Sequence, residues 1–267
     1  MPKDQPRGDR APSDIPARTP RLFVEQGFDA DQPLRLGKEQ SHYLATVLRL
    51  EVGAPVLIFN GRDGEWKATV TDTGRSGVTL ELEAQLQPQR FGPDLHYLFA
   101  PLKHARLDYM VQKATEMGAS RLLPVFTRRT QASRINLDRM RANAVEAAEQ
   151  CGLVAVPDIA GEQKLPQALT HLEAGRTLIF CDEEAPQADP LAALAAAPAG
   201  PLALLIGPEG GFAPDERQLI GARANVVRLS LGPRILRADT AAVAALALVQ
   251  AKLGDWGGGA RPAVAEG

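Results

Sequence analysis

A chain of 267 residues, 45% hydrophobic and 23% charged, has the make-up of a globular protein with room for two modest domains or one large one, and no apolar run approaches membrane-spanning length. The formal net charge of −2 excludes a surface that is basic throughout, so any nucleic-acid contact has to come from local basic patches. Cys151 and Cys181 have neither metal-ligand nor disulfide-framework spacing and the histidines fall in separate elements, so no metal, no membrane and a reducing, cytoplasmic setting are expected.

Residues 1–20 are rich in Pro, Arg, Asp and Lys, lack an apolar segment, and read as a disordered extension and not a signal peptide. From Arg21 to about Leu86 the pattern is mainly β. Short strands are predicted over Arg21–Glu25 and Leu34–Leu36, and Lys38–Leu50 carries Tyr43, Leu44, Val47 and Leu48 at the spacing of one helical face. Pro55–Phe59 is an apolar strand that runs into the turn signal Asn60-Gly61-Arg62-Asp63-Gly64. Alternating strands follow at Trp66–Val70 and Gly77–Leu86. A small β-barrel with one helix over residues 21–88 fits this pattern, and Gln87–Asp94 has the composition of an interdomain linker.

After the linker the period changes. Strands are predicted at Leu95–Ala100, Arg121–Val125, Val156–Ile159, Thr177–Cys181, Leu202–Ile206 and Asn225–Leu229. Helices are predicted at Leu107–Met117, Asn136–Gln150, Leu165–Leu172, Pro214–Ala222 and Asp239–Leu253, with an Ala/Pro-rich connection over Glu184–Pro201. Strands that alternate with helices imply an α/β domain over residues 95–253 with a mainly parallel sheet covered on both faces. Residues 254–267, with three consecutive glycines, read as a flexible tail.

Two stretches of this domain stand out. Leu204–Phe212 and Leu229–Ala241 each begin as a short apolar strand and break at a Gly-Pro pair, Gly207-Pro208 and Gly232-Pro233. Glycine lets backbone groups approach a ligand without a Cβ in the way, and in open α/β sheets ligands sit beyond the strand C-termini. Taken singly each pair suits an ordinary turn, but the repetition favours one ligand pocket. The chain has no Gly-Lys-Ser/Thr of a P-loop and no G-x-G-x-x-G opening a helix, which disfavours a nucleoside triphosphate.

Ile206–Phe212 followed by Glu216, and Leu231–Thr240, closely resemble the two signature loops of the RsmE family, the 16S ribosomal RNA uridine N3-methyltransferases of the SPOUT superfamily. The resemblance covers most of the chain from Arg21 to Leu253. It implies a SPOUT-like C-terminal domain with a deep trefoil knot, a PUA-like N-terminal domain that binds RNA, a homodimer, S-adenosylmethionine as methyl donor, and 16S rRNA or the small ribosomal subunit as partner. Cofactor contacts are then expected from Phe180, Asp182, Ile206, Gly207, Glu209, Gly210, Leu231, Gly232, Ile235, Leu236 and Thr240. RNA contacts are expected from Arg21, Arg49, Arg62, Arg128 and Arg129.

Methyl transfer from a sulfonium to N3 of uracil requires in-line approach and loss of the imide proton. Arg237, Asp239 and Glu209 are the polar candidates. Arg237 suits stabilisation of the developing anion or a flanking phosphate, and Asp239 suits either a base or the N-cap of the last helix. The family usually has Leu-Arg-Thr-Glu-Thr where this chain has Leu236-Arg237-Ala238-Asp239-Thr240, and commonly Arg at the position of Leu153. A non-catalytic RNA-binding assembly factor and a SPOUT enzyme acting on tRNA are the alternative readings.

Overall fold

Strand sequences in this chain are of two kinds, those that alternate and bury one face and those that are apolar throughout and bury both, and the two kinds sit in separate units. The computed structural model describes residues 15–16, 18–74, 77–103, 105–185 and 189–257, so the expected extension over 1–20 and tail over 254–267 lie largely outside the described residues. One compact unit runs to Arg90 and the other starts at Phe91.

The first unit holds β1 (Arg21–Phe23), β2 (Leu34–Arg35), α1 (Lys38–His42), β3 (Pro55–Phe59), β4 (Glu65–Asp72) and β5 (Thr79–Gln87). The sheet order is β1-β3-β4-β5-β2, with β1 parallel to β3 and the other pairs antiparallel. Register shifts between β4 and β5 bend the sheet around a core of Leu22, Leu44, Val56, Ile58, Val70, Leu80 and Leu82. Along β5, Leu80 and Leu82 are buried while Glu81 and Glu83 face outward.

The long helix predicted from Lys38 is shorter than its pattern suggests. After α1 the backbone widens into a π-helical turn, Tyr43–Val47, closed by the Leu48 N–H bonding to the Tyr43 carbonyl at 2.9 Å. The widened turn keeps Leu44 in the core and leaves Val47 and Leu48 outside, and Arg49 ends it in the left-handed region at φ 55°. The predicted hairpin turn forms: the Asn60 Oδ1 accepts from the N–H groups of Arg62 and Asp63 at 2.9 and 2.8 Å.

The second unit contains β6 (Leu95–Phe99), α2 (Ala105–Glu116), β7 (Arg121–Phe126), α3 (Leu137–Cys151), β8 (Asp158–Ile159), β9 (Gln163–Lys164) and α4 (Leu165–His171). It continues with β10 (Thr177–Cys181), α5 (Pro190–Ala195), β11 (Leu202–Ile206), α6 (Pro214–Gly221), β12 (Val226–Leu229) and α7 (Ala238–Leu253). The sheet order is β12-β10-β11-β6-β7-β8, with β9 also on β7, and every pairing is parallel. Alternate residues of each strand feed two cores. Leu95, Tyr97, Phe99, Leu202, Leu204 and Ile206 pack with α2, α3 and α7, whereas Leu98, Ala203 and Leu205 pack with α4 and α6. Burial on both faces is why these strands read as continuous apolar runs.

Two elements were not legible as such. α5 lies inside the Ala/Pro-rich connection, where Asp189 accepts from the Leu191 and Ala192 N–H groups, Pro190 opens the helix and Leu194 is fully buried. β9 is a two-residue strand beside the end of β7.

Gly64 is held at φ 74°, and a Cβ there would lie 2.1 Å from the Gln87 carbonyl oxygen. Gly64→Ala is therefore expected to destabilise the first unit by about 2 kcal/mol or more, read from denaturant unfolding of the full chain.

Candidate active site at the C-terminal edge of the parallel sheet

The three strands β12, β10 and β11 are neighbours, and their register brings their C-terminal ends level: Cys181 pairs with Leu229, and Phe180 with Leu205. The chain leaving each strand therefore borders the same crevice. A cleft of about 260 Å³ opens there, lined by Cys181–Glu183 after β10, Ile206–Glu209 and Phe212 after β11, Leu229–Leu236 after β12, and Ala238 and Ala241 of α7. Gly207 and Gly232 both line it, so the two Gly-Pro loops converge as their repetition suggested.

The two glycines serve different purposes. A Cβ on Gly207 would meet the Phe212 ring at 2.5 Å, and Phe212 in turn packs edge-on against Phe180 with ring centroids 5.2 Å apart. Gly207 thus lets the β11 loop fold down over an aromatic floor. Gly232 has open space where a Cβ would be, but its φ of 94° belongs to the region that favours glycine. Among the described residues the N–H groups of Leu231 and Gly232 have no internal partner, which leaves backbone donors at the cleft wall. Ile235 is 89% exposed at the rim, while Ile206 is buried beneath it.

The charged groups are organised by arginines. Arg106 of α2 grips the Asp239 carboxylate with two bonds, Nε to Oδ2 at 2.9 Å and Nη2 to Oδ1 at 3.0 Å, and reaches Glu209 through Nη1 at 2.7 Å. One guanidinium so ties both Gly-Pro loops to α2. The Arg106 hydrogen bonds hold the Asp239 carboxyl below the usual carboxylate range, helped by the Thr240 N–H. This corrects the reading of Asp239 as an N-cap: α7 begins at Ala238, and the Asp239 side chain lies in its first turn, bonded to Arg106 and the Thr240 N–H. A carboxylate held this way is also a weak base.

Asp182 is likewise engaged. Its side chain is 1% exposed, with Oδ1 paired to Arg217 and Oδ2 to Arg228. Asp182 still lines the cleft, with both carboxylate oxygens facing guanidinium groups. Glu216 is buried, accepting from the Ala213 N–H and the Arg128 N–H, each at 2.9 Å. It fastens the loop after β7 to the start of α6. Arg129 donates to the Gly210 carbonyl at 2.6 Å, and Arg128 pairs with Asp215. Burial pushes the Cys181 thiol up, which suits a core group and no nucleophile.

Not every expected contact lies in the cleft. Phe180 is in the floor beneath it, and neither Gly210 nor Thr240 lines it. Arg237 is exposed beside the rim with no ion-pair partner among the described residues. In the first unit, Arg21 is drawn inward, with Nε 2.6 Å from the buried Glu65 carboxylate and the guanidinium 4.6 Å over the Phe59 ring. That geometry places it at the core edge. Arg49 is exposed, and Arg62 is exposed with one bond to the Glu25 carbonyl.

Sequence reading missed Arg106, Arg217 and Arg228. Arg106 and Asp239 are 133 residues apart, and no local pattern signals such a pairing. Among the described residues no cluster of His, Cys, Asp and Glu forms a metal site, and no helix is long and apolar enough to cross a membrane.

Comparison with known proteins extends this geometry. A family profile described as an RNA methyltransferase domain matches residues 90–250, and one described as an RNA methyltransferase PUA domain matches residues 36–83. Ribosomal RNA small subunit methyltransferase E of Rickettsia conorii is 29% identical over 86% of this chain and 94% of its own length. Its counterpart in Mycobacterium tuberculosis is 30% identical over 82% and 86%. The crystal structure of a ribosomal RNA small subunit methyltransferase E from Neisseria gonorrhoeae, bound to S-adenosylmethionine, gives a TM-score of 0.82 at 24% identity, covering 90% of this chain and 100% of that one. A methyltransferase from Legionella pneumophila, solved with S-adenosylmethionine, gives 0.78 at 29% identity, covering 89% and 99%.

Because its folded pKa is lowered, Asp239 contributes stability above the ordinary carboxylate pKa, and that contribution is lost as pH falls through the folded value. Arg106→Gln is expected to raise the Asp239 pKa towards the ordinary range, as read by carboxyl carbon NMR titration; an unmoved titration would contradict the clamp.

Proposed function

From the premise that this chain belongs to the ribosomal RNA small subunit methyltransferase E family, we propose that it transfers a methyl group from S-adenosylmethionine to N3 of a uridine in 16S ribosomal RNA. It is a methyltransferase with a SPOUT-like C-terminal unit and a PUA-like N-terminal one. The observation that carries the reading is the convergence of the two Gly-Pro loops on one cleft at the strand C-termini.

The residues present fit the methyl donor. Leu231 and Gly232 offer unpaired N–H groups for the edge of an adenine, and Ile206, Ile235 and Leu236 supply apolar walls. The open space and left-handed backbone at Gly232 give the ligand room at the place where a side chain would intrude. Bound S-adenosylmethionine supplies an activated methyl group: N3 bonds to the methyl carbon as the carbon–sulfur bond breaks, leaving a thioether and releasing the imide proton. Glu209 lines the cleft and is tied through Arg106 to Asp239 at the head of α7, and Asp182 lines it with both oxygens held by Arg217 and Arg228. The proton goes to water in this scheme, since Arg106 weakens Asp239 as a base.

Arg237, exposed beside the cleft with no ion-pair partner among the described residues, stabilises the negative charge that develops on the imide, and Arg234, which lines the cleft and is likewise unpaired, adds to the positive potential there. N3 lies on the pairing edge of uracil, so the target base is unpaired or splayed out when modified. Arg49 and Arg62 of the first unit, with Arg128 and Arg129, contact RNA phosphates. The trefoil knot, pairing of two chains through the C-terminal unit, and a cytoplasmic location belong to the same proposal. Ala238 is buried against the cleft wall, so the departure from threonine leaves that wall packed.

Transfer of tritiated methyl from S-adenosylmethionine to small subunits lacking the modification is expected to yield 3-methyluridine on nucleoside analysis; ribose-methylated or guanine products alone would overturn the uridine assignment. Arg237→Ala is expected to lower kcat on the order of 100-fold with cofactor affinity unchanged. Gly232→Ala is expected to weaken cofactor binding by about ten-fold or more in calorimetry, because the strained backbone costs roughly 1–3 kcal/mol.

A further inference from the structure

A second cleft, of about 430 Å³, opens on the same edge of the same sheet, where β6 and β7 end. Its floor is aliphatic: Leu102, Leu107 and Met140 are buried there, and Ile135 is partly so. Arg139 forms part of its wall but is committed to Asp108, at 2.9 and 2.5 Å. Lys103 and Arg134, both exposed at its border, have no ion-pair partner among the described residues. They share this with Arg141, Arg234 and Arg237, whereas Arg106, Arg128, Arg176, Arg217 and Arg228 of the same unit face carboxylates. Gln131 and Ser133 add polar side chains that make no hydrogen bond among the described residues.

The two clefts have no lining residue in common but are linked through the sheet and α2. β6 lies beside β11, and the Ala100 N–H bonds to the Ile206 carbonyl at 3.0 Å where both strands end. Leu102, Lys103, Leu107 and Asp108 border the second cleft, while Arg106 reaches Glu209 of the first and Asp239 at the head of α7.

We infer that this second cleft receives the acceptor nucleotide, a single unpaired pyrimidine of the RNA substrate. The inference rests on the reading of the first cleft as the methyl-donor site. The aliphatic floor carries the face of the base, and Lys103 and Arg134 take the flanking phosphates, whose charge nothing else at that border neutralises. Gln131 and Ser133 donate to the carbonyl oxygens on either side of N3 and leave N3 itself turned towards the first cleft. A net charge of −2 makes this placement informative, because cations without partners are where a polyanion is drawn.

Steady-state methyl transfer to RNA at several salt concentrations tests it, with S-adenosylmethionine affinity measured separately by calorimetry. Lys103→Ala/Arg134→Ala, both at exposed positions, is expected to raise KM for RNA about ten-fold or more. The slope of log KM against log salt should fall by about 1.4, two single-strand contacts at ~0.7 each. Ile135→Trp, which fills the floor, is expected to lower kcat/KM for RNA on the order of 100-fold with cofactor affinity unchanged. An unchanged KM and salt slope in the double variant would overturn the inference, as would wild-type kcat/KM in a folded, cofactor-binding Ile135→Trp enzyme. Absence of cofactor binding by the wild-type chain would instead remove the reading of the first cleft.

Discussion

Level termination of adjacent parallel strands is the constraint on which this site depends. Register fixes Phe180 opposite Leu205 and Cys181 opposite Leu229, so three chain segments leave the sheet at one height. A parallel sheet with apolar residues on both faces cannot slip by one residue without exchanging the populations of its two cores. Leu204 and Ile206 would then trade places with Ala203 and Leu205, and the Phe180–Phe212 contact under the β11 loop would be lost. The site's position is thus set by core packing, and the glycines only adapt the loops to what the core has placed.

Charge at the site follows a second logic. Carboxylates near the cleft are each met by guanidinium groups: Asp239 and Glu209 by Arg106, Asp182 by Arg217 and Arg228. A buried, unpaired carboxylate would be costly and would repel a polyanion, whereas the paired ones act as struts between elements. Arg106 is the most consequential because its two partners come from the β11 loop and the first turn of α7. Cations without an ion pair among the described residues, Arg234 and Arg237 at one cleft and Lys103 and Arg134 at the other, lie along the strand-end edge of one sheet.

Much of this was legible in the sequence, and the failures have physical causes. Pro55–Phe59, Thr177–Cys181 and Leu202–Ile206 match the observed strands to the residue, because short apolar runs bounded by turn residues leave little choice. The π-helical turn after α1 was hidden, since Tyr43, Leu44, Val47 and Leu48 fit an ordinary helical face equally well. α5 reads as a connection from its alanines and prolines, although Asp189-Pro190 carries a helix-start signal. Gly207 and Gly232 could be paired from their repeated context. The roles of Asp239, Asp182 and Arg21 could not, because each is decided by a partner at least 35 positions away: Arg106, Arg217 and Glu65.

The central claim is that two glycine-proline bends, made adjacent by strand register, hold one methyl donor. Amide hydrogen exchange of the full chain with and without saturating S-adenosylmethionine tests it most directly. The account predicts slowed exchange concentrated in peptides spanning residues 206–212 and 229–241, with the first unit unchanged. Protection that spares either loop, or that centres on another part of the chain, would contradict it.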